Sequence, residues 1–422
     1  MKRALAIREK SLGGDHPDVA ESLGNLAMLY AEQRQGGKAE QLYQRALLIR
    51  ERALTAREKS LGADHLDVAE SLIGLANTQV AKGKHLRQEG EGKAEPLYQR
   101  ALAIREKVLG ADHPDVANCL TDLADSYHDA QDQGLKAEPL YQRALEIREK
   151  AFGSSHPDVA ESMVKLANTL AQRQPEKGDS LLQRALAIRE QSFGPNNEQV
   201  ADVLDLLAVG AFDLDNVVLR ISLFQRALAI REKAFGPESM QVAYTLESLA
   251  IYTDFSGKLP QAEALFMRAV EIHEKAATQP SPSLAYLLRR VAGNLQMQGK
   301  YERAERVLTR AIAIWENNFS SDDGKATVLR EWDWTYVDCL NALAELYRIQ
   351  GRFLEAEPIY QRALALADRP GMGSVLSQVL NNLATLYDTE GQHAQAELIY
   401  KRALEIGGGR AWSKRQPPLF SR

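Results

Sequence analysis

At 422 residues and 46.9 kDa the chain has room for two to four ordinary domains by length alone. Its 45% apolar and 26% charged residues are the composition of a folded protein, and a net charge of −5 argues against a nucleic-acid or anionic-membrane surface. No apolar run reaches the ~18 residues of a membrane span. The opening MKRALAIREK lacks a signal-peptide core, and two cysteines are too few for a disulfide framework, so the expected compartment is the cytoplasm.

Internal repetition overrides the length rule. Arg-Ala-Leu or a close variant recurs at Arg3, Arg45, Arg100, Arg143, Arg184, Arg226, Arg268, Arg310, Arg362 and Arg402. Most spacings are 41 to 43 residues; the two long ones, 55 and 52, are a repeat plus an insertion. Leu-Ala or Val-Ala stands about 19 residues before each later copy, from Leu26 to Leu383. The array is therefore nine units of ~42 residues behind an N-terminal half-unit, over residues 1–406.

In chain order, Met1 opens directly into a second helix, without the first helix of its unit. Pro17–Gly36 then predicts a first helix, because Val19, Ala20, Leu23, Leu26, Ala27 and Tyr30 fall on one face. Pro17 and Asp18 suit its start, and His16 before proline marks the boundary. A second helix follows from about Lys38, with Ala39, Leu42, Tyr43, Ala46 and Leu47 as its stripe. Later copies end in glycine at Gly62, Gly110, Gly153, Gly194 and Gly236, read as αL stops. With no alternating strand pattern the fold is all-α. Small residues at Ala27/Ala46, Ala76/Ala101, Ala124/Ala144, Ala167/Ala185 and Ala208/Ala227 mark close helix crossings.

Three insertions interrupt the period. The duplicated heptad RALLIRE-RALTARE over 45–58 lengthens one helix by about 10 Å. His85–Gly92 enlarges a turn, and Ser320–Trp334 carries Trp332 and Trp334, expected to pack on unit 7. Residues 407–422 read as a disordered basic tail.

The segment ALAIREKSLGGDHPDVAESLGNLAMLY resembles the tetratricopeptide (TPR) repeats of kinesin light chains, with similar copies at Ala101–Tyr127 and Ala144–Leu170. The resemblance implies a TPR α-solenoid, a right-handed superhelix of antiparallel helix pairs. It also implies a non-enzymatic scaffold whose concave groove binds a peptide segment or partner protein. A cargo adaptor for a motor or cytoskeletal partner, and the ligand-sensing region of a larger signalling NTPase, are the alternatives.

The residues offer little chemistry. His16, His65, His113 and His156 share one repeat position, on the order of 10 Å apart in a stack, too far for one zinc. They read as turn and cap residues. Cys119 and Cys339 share the position of Ser22, Ser71, Ser162 and Thr245 and read as small helix-contact residues. The recurrent Arg-Glu-Lys reads as a solvated, salt-bridged face. No phosphate loop, GxSxG, HExxH or CxxC is present, so no enzyme activity, cofactor or metal is expected.

What remains is the groove, whose positions the resemblance places on the first helices. Asn77 and Asn168 sit where TPR asparagines bond a peptide backbone, and Asn25 and Asn382 match the asparagine before Leu-Ala in kinesin light chains. Unit 3 offers Asn118, Thr121, Asp122 and Asp125 with His128 and Asp129; unit 5 offers Asp202 and Asp205 with Phe212 and Asp213. Unit 6 offers Tyr244, Glu247 and Asp254, and unit 7 reverses sign with Tyr286, Arg289 and Arg290. The expected ligand is a protein or peptide segment with Lys or Arg, its acidic end reaching unit 7; neither nucleic acid nor membrane insertion is expected.

Overall fold

The computed structural model describes residues 1–32, 35–86, 91–128, 134–210, 216–276, 281–320, 333–369 and 371–407. Among these it holds nineteen α-helices and no strand. The chain divides into two bodies, Met1–Leu214 and Asp215–Arg422.

The first body opens with α1 (Lys2–Leu12). Helix pairs follow as α2 (Pro17–Glu32) with α3 (Gly36–Leu61), α4 (Leu66–Leu86) with α5 (Glu91–Leu109), α6 (Pro114–His128) with α7 (Gly134–Phe152), and α8 (Pro157–Leu170) with α9 (Pro175–Phe193). It closes with α10 (Glu198–Gly210). The second body opens with α11 (Val217–Phe235). Its pairs are α12 (Met240–Phe255) with α13 (Leu259–Ala276), α14 (Pro282–Met297) with α15 (Tyr301–Ser320), α16 (Asp333–Ile349) with α17 (Phe353–Ala367), and α18 (Gly373–Thr389) with α19 (His393–Gly407). Each body is thus a stack of helix pairs, the all-α array that the period predicts and the solenoid that the resemblance to TPR repeats implies.

The helix starts explain the repeated histidines. His16, His65, His113 and His156 each accept, on Nδ1, the backbone N–H of the aspartate two residues on, at 3.1–3.2 Å. That satisfies one of the amide groups a helix leaves without a partner at its start. Asn197 does the same for Gln199 at 2.9 Å, and Ser239 and Ser281 cap at the corresponding place in later units. The histidine is therefore one of several interchangeable caps.

The helix stops correct one expectation. Gly62 has φ 89° and ψ 158°, and Gly194 and Gly236 have φ 84° and ψ 157°. Positive φ was expected, but this ψ lies far from the αL region, in the extended corner that only glycine enters at low cost. The chain therefore leaves the helix straight towards the next cap, after one last bond from the glycine N–H to the carbonyl four residues back, 3.1 Å for Gly62.

The alanines of the expected crossings are fully buried: Ala27, Ala46, Ala76, Ala101, Ala124, Ala144 and Ala185 are at most 1% exposed. Tyr43, Phe224, Phe266 and Tyr360 fill the space beside them. Helix α3 has 26 residues against 19 in α5, α7 and α9, so the duplicated heptad does extend one helix by about 10 Å.

The reading of Arg-Glu-Lys as a solvated face is wrong for its arginine. Arg148, Arg189 and Arg231 are buried. Each rises from a second helix and enters the seam with the first helix of the following pair. Arg148 donates to Ser162 Oγ at 2.5 Å, Thr121 Oγ1 at 3.2 Å and Asn118 Oδ1 at 2.8 Å, joining α6, α7 and α8. Arg8 bonds Ser22, Arg57 bonds Ser71 and Arg231 bonds Thr245 in the same way, at 2.6–2.8 Å. The glutamate of the motif does stay near solvent, but it binds the Arg-Ala-Leu arginine of the adjacent unit and not its own helix. Arg45 pairs with Glu9, Arg100 with Glu58, Arg143 with Glu106 and Arg184 with Glu149, all at 2.7–2.9 Å; Arg268 with Glu232 repeats this in the second body.

The two arginines of one helix should therefore differ in worth. Arg148→Met removes charged hydrogen bonds from three acceptors, of which Thr121 and Ser162 are buried, and is expected to destabilise by about 1.5–3 kcal/mol. Arg143→Met breaks a pair whose arginine is 40% exposed and should cost about 0–1 kcal/mol. Urea melts of the two variants decide this, and equal midpoints would contradict the joint.

Candidate functional site

Successive first helices touch one another, α2 with α4 and α4 with α6 in the first body, α14 with α16 and α16 with α18 in the second. Successive second helices meet through their long Arg–Glu pairs. The first helices therefore form the inner face of each body, and side chains pointing away from the seam line it.

In the first body this face holds a depression of about 420 Å³. Helix α4 supplies Asn77, Val80, Ala81, Lys84 and His85 to its lining. Tyr98 comes from α5, and Asp122, Asp125 and Ser126 come from α6. The cavity exists because α4 is long: 21 residues against 13 to 17 in the other first helices. The insertion at His85 was expected to enlarge a turn. Instead its first residues continue α4 to Leu86 and raise one wall.

The cavity's polar groups are unequally satisfied. Tyr98 is buried and donates its hydroxyl to Asn77 Oδ1. Asp125 accepts from Tyr141 Oη at 2.5 Å and from Lys165 Nζ at 2.7 Å. Asp122 has no hydrogen-bond partner among the described residues. Burial, and secondly the charge of Asp125, push its carboxyl above the ordinary 3.8, while Arg105, Lys165 and Arg148 pull it back. The same burial, with Asp122 and Asp125 beside it, pushes the Tyr98 phenol up.

The other expected groove residues scatter. Asn25 on α2, Asn168 on α8 and Asp202 on α10 are exposed, and Asp205 is half-buried on α10; none lines this cavity. In the second body several are already engaged. Glu247 bonds the buried His273 at 2.7 Å, and Tyr244, 56% exposed, meets that imidazole edge-on. Arg289 pairs with Asp338 of α16 at 3.0 Å, and Tyr286 packs edge-on against Trp334 at 6.0 Å, as expected for the tryptophan insertion. Arg290 is half-buried, its Nε without a partner among the described residues. Asn382 donates to Asn341 at 3.0 Å. Asp129, Phe212, Asp213, Trp332 and the tail from residue 408 lie outside the described residues.

Lys84, His85 and Tyr98 were missed as site residues. The irregular length of unit 2 was the available signal, since a loop insertion beside an inner helix can extend that helix. Among the described residues no three His, Cys, Asp or Glu side chains gather to hold a metal. Cys119 and Cys339 are fully buried, and burial pushes both thiols up to about 12, leaving no thiolate to act as a nucleophile at neutral pH.

A family model described as tetratricopeptide repeat matches residues 1–52, 78–134, 129–177, 221–275 and 336–407, and a second of the same description matches 159–198 and 284–323. Nephrocystin-3 of Xenopus tropicalis is 50% identical over 46 residues, 11% of this chain and 4% of that protein; the human protein matches equally. The chain thus spans a small fraction of the curated relatives it matches. Among solved structures, the apo form of RapI has a TM-score of 0.56 at 15% identity, covering 92% of this chain and 98% of that one. Kinesin light chain-type repeats of Podosopora anserina have a TM-score of 0.44 at 23% identity, covering 51% of this chain and 99% of that one. At these identities the likeness is one of fold.

The state of Asp122 yields a stability test. Its folded pKa lies above its unfolded value, so the native state favours the protonated form and ionisation costs stability at neutral pH. Asp122→Asn should therefore raise the melting temperature at pH 7. The gain should shrink as pH falls through the raised value and vanish below the ordinary 3.8. Thermal melts of both proteins between about pH 3 and pH 8 measure it, and a variant less stable at pH 7 would contradict the assignment.

Proposed function

Because this chain belongs to the tetratricopeptide repeat family, we propose that it is a non-catalytic scaffold that grips an extended segment of a partner protein along the inner face of its first helices. One observation carries this reading: the inner-face side chains change from unit to unit, while the crossings, caps and joints recur. In the first body those side chains include Asp122, Asp202 and Asp205, which favour a ligand with Lys or Arg. In the second body Tyr244, Phe255 and Met297 are more than half exposed and favour apolar contact. Arg289 is already met by Asp338, so an acidic ligand end falls chiefly to Arg290.

Selection from a random peptide library tests both the scaffold and its polarity. Basic sequences should dominate. Each exposed charge pair contributes only ~0–1 kcal/mol, so several must act together. The double change Asp122→Asn with Asp205→Asn should weaken a selected basic peptide roughly threefold to tenfold without loss of helicity. Binding should also weaken with salt, as the Debye length falls from ~10 Å at 0.1 M to ~3 Å at 1 M. Selection of mainly acidic peptides, insensitive to the double change, would reverse the polarity; a library yielding no binder would remove the scaffold reading.

A further inference from the structure

The depression between α4 and α6 opens to solvent and is lined from three helices, α4, α5 and α6. We propose that it is a specificity pocket for one basic side chain, a lysine or arginine of the bound segment, with the Asp122 carboxylate as counter-charge. The proposal rests on the scaffold reading and adds which residue type is selected, and where.

The division of labour between the two carboxylates carries it. Asp125 is held by Lys165 and Tyr141, so its charge is largely spent within the fold. Asp122 stands on the same helix face, half-buried and with no hydrogen-bond partner among the described residues. A half-buried carboxylate lowers its free energy by gaining an opposite charge and hydrogen-bond donors. The cavity leaves space for such a group from the solvent side.

The walls fit the rest of a basic side chain. Val80 and Ala81 line the cavity with methyl groups, against which a methylene stem can lie while its charged head reaches Asp122. A volume of about 420 Å³ exceeds what one such side chain needs and leaves space for backbone or water beside it. Lys84 and His85 stand on the α4 side. The Lys84 charge disfavours a second cation close by, so the pocket takes a single basic side chain. A metal ion fits less well: one carboxylate is already engaged, and no three ligating side chains gather among the described residues.

The test uses small probes on the full chain. Nα-acetylarginine amide, Nα-acetyllysine amide and neutral Nα-acetylcitrulline amide are titrated while the methyl signals of Val80 and Ala81 are followed by NMR. The first two should give saturable shifts at both positions, and citrulline none. Asp122→Asn should weaken the arginine probe by about threefold or more, while Glu176→Gln, which removes an exposed charge on α9, should leave it within about twofold. Asp122→Asn is expected to be the more stable protein, so loss of binding cannot be put down to unfolding. Absence of saturable shifts, equal binding of citrulline, or an unaffected Asp122→Asn variant would overturn the pocket. Library peptides binding elsewhere on the inner face would then still support the scaffold.

Discussion

A single helix pair leaves an apolar face that it cannot cover, and the next pair covers it. What sets the register of that covering is a guanidinium driven into the seam. Arg148 bonds Asn118 and Thr121 behind it and Ser162 ahead of it, so a slip of either neighbouring helix would strand a buried cation. Apolar contact alone is tolerant of sliding; a buried arginine with fixed donors is not. In the second body Arg231 keeps the joint to Thr245, and His273 and the fully buried Trp315 occupy this position in the two pairs that follow. The outer Arg–Glu pairs trim the spacing of the second helices from the solvent side, each with a small contribution.

That division of work frees the inner face. Once crossings, caps and joints hold the stack, inner side chains are released from structural duty, and some stand in positions that do not favour stability. Asp122 is the clearest case, a half-buried carboxylate whose own neighbours oppose its ionisation. Groups that cost stability where the frame is otherwise well satisfied concentrate at functional surfaces. Glu247 and Arg289 show the opposite outcome, since neighbouring units have already supplied their partners.

Much of the fold was legible because repetition amplifies weak signals. One Leu-Ala pair means little, but nine at a fixed period fix helix count, faces and crossings. The capping histidines were legible because four copies in one register rule out a shared metal. The buried arginine was not legible, because charge alone does not say which flank of a helix meets a neighbour. Arg143 and Arg148 are five residues apart, about 140° around the helix, so one faces the preceding unit and the other the seam. The glycine stops were half legible: composition called for positive φ, but ψ depends on where the following cap must lie. Asp122 and Asp125 were found as groove positions, whereas Lys84, His85 and Tyr98 belong to a cavity that depends on how far α4 continues, which no repeat period encodes.

The joint also bears on how such a chain could change over generations. Several units present the same fittings upward and downward: a glutamate and a seam arginine on one side, and an arginine and a small hydroxyl (Ser22, Ser71, Ser162 or Thr245) on the other. Duplication or loss of a whole unit by recombination would therefore create a boundary that already matches. The duplicated heptad in α3 shows the same tolerance on a smaller scale. Arg57 keeps the bond to Ser71, while Arg50 lies half-buried over Gly74, where a β-carbon would fall 2.1 Å from its guanidinium. Many inner-face residues, Asp122 among them, take no part in these fittings, so a gained unit could bring new recognition chemistry without a new interface having to be invented.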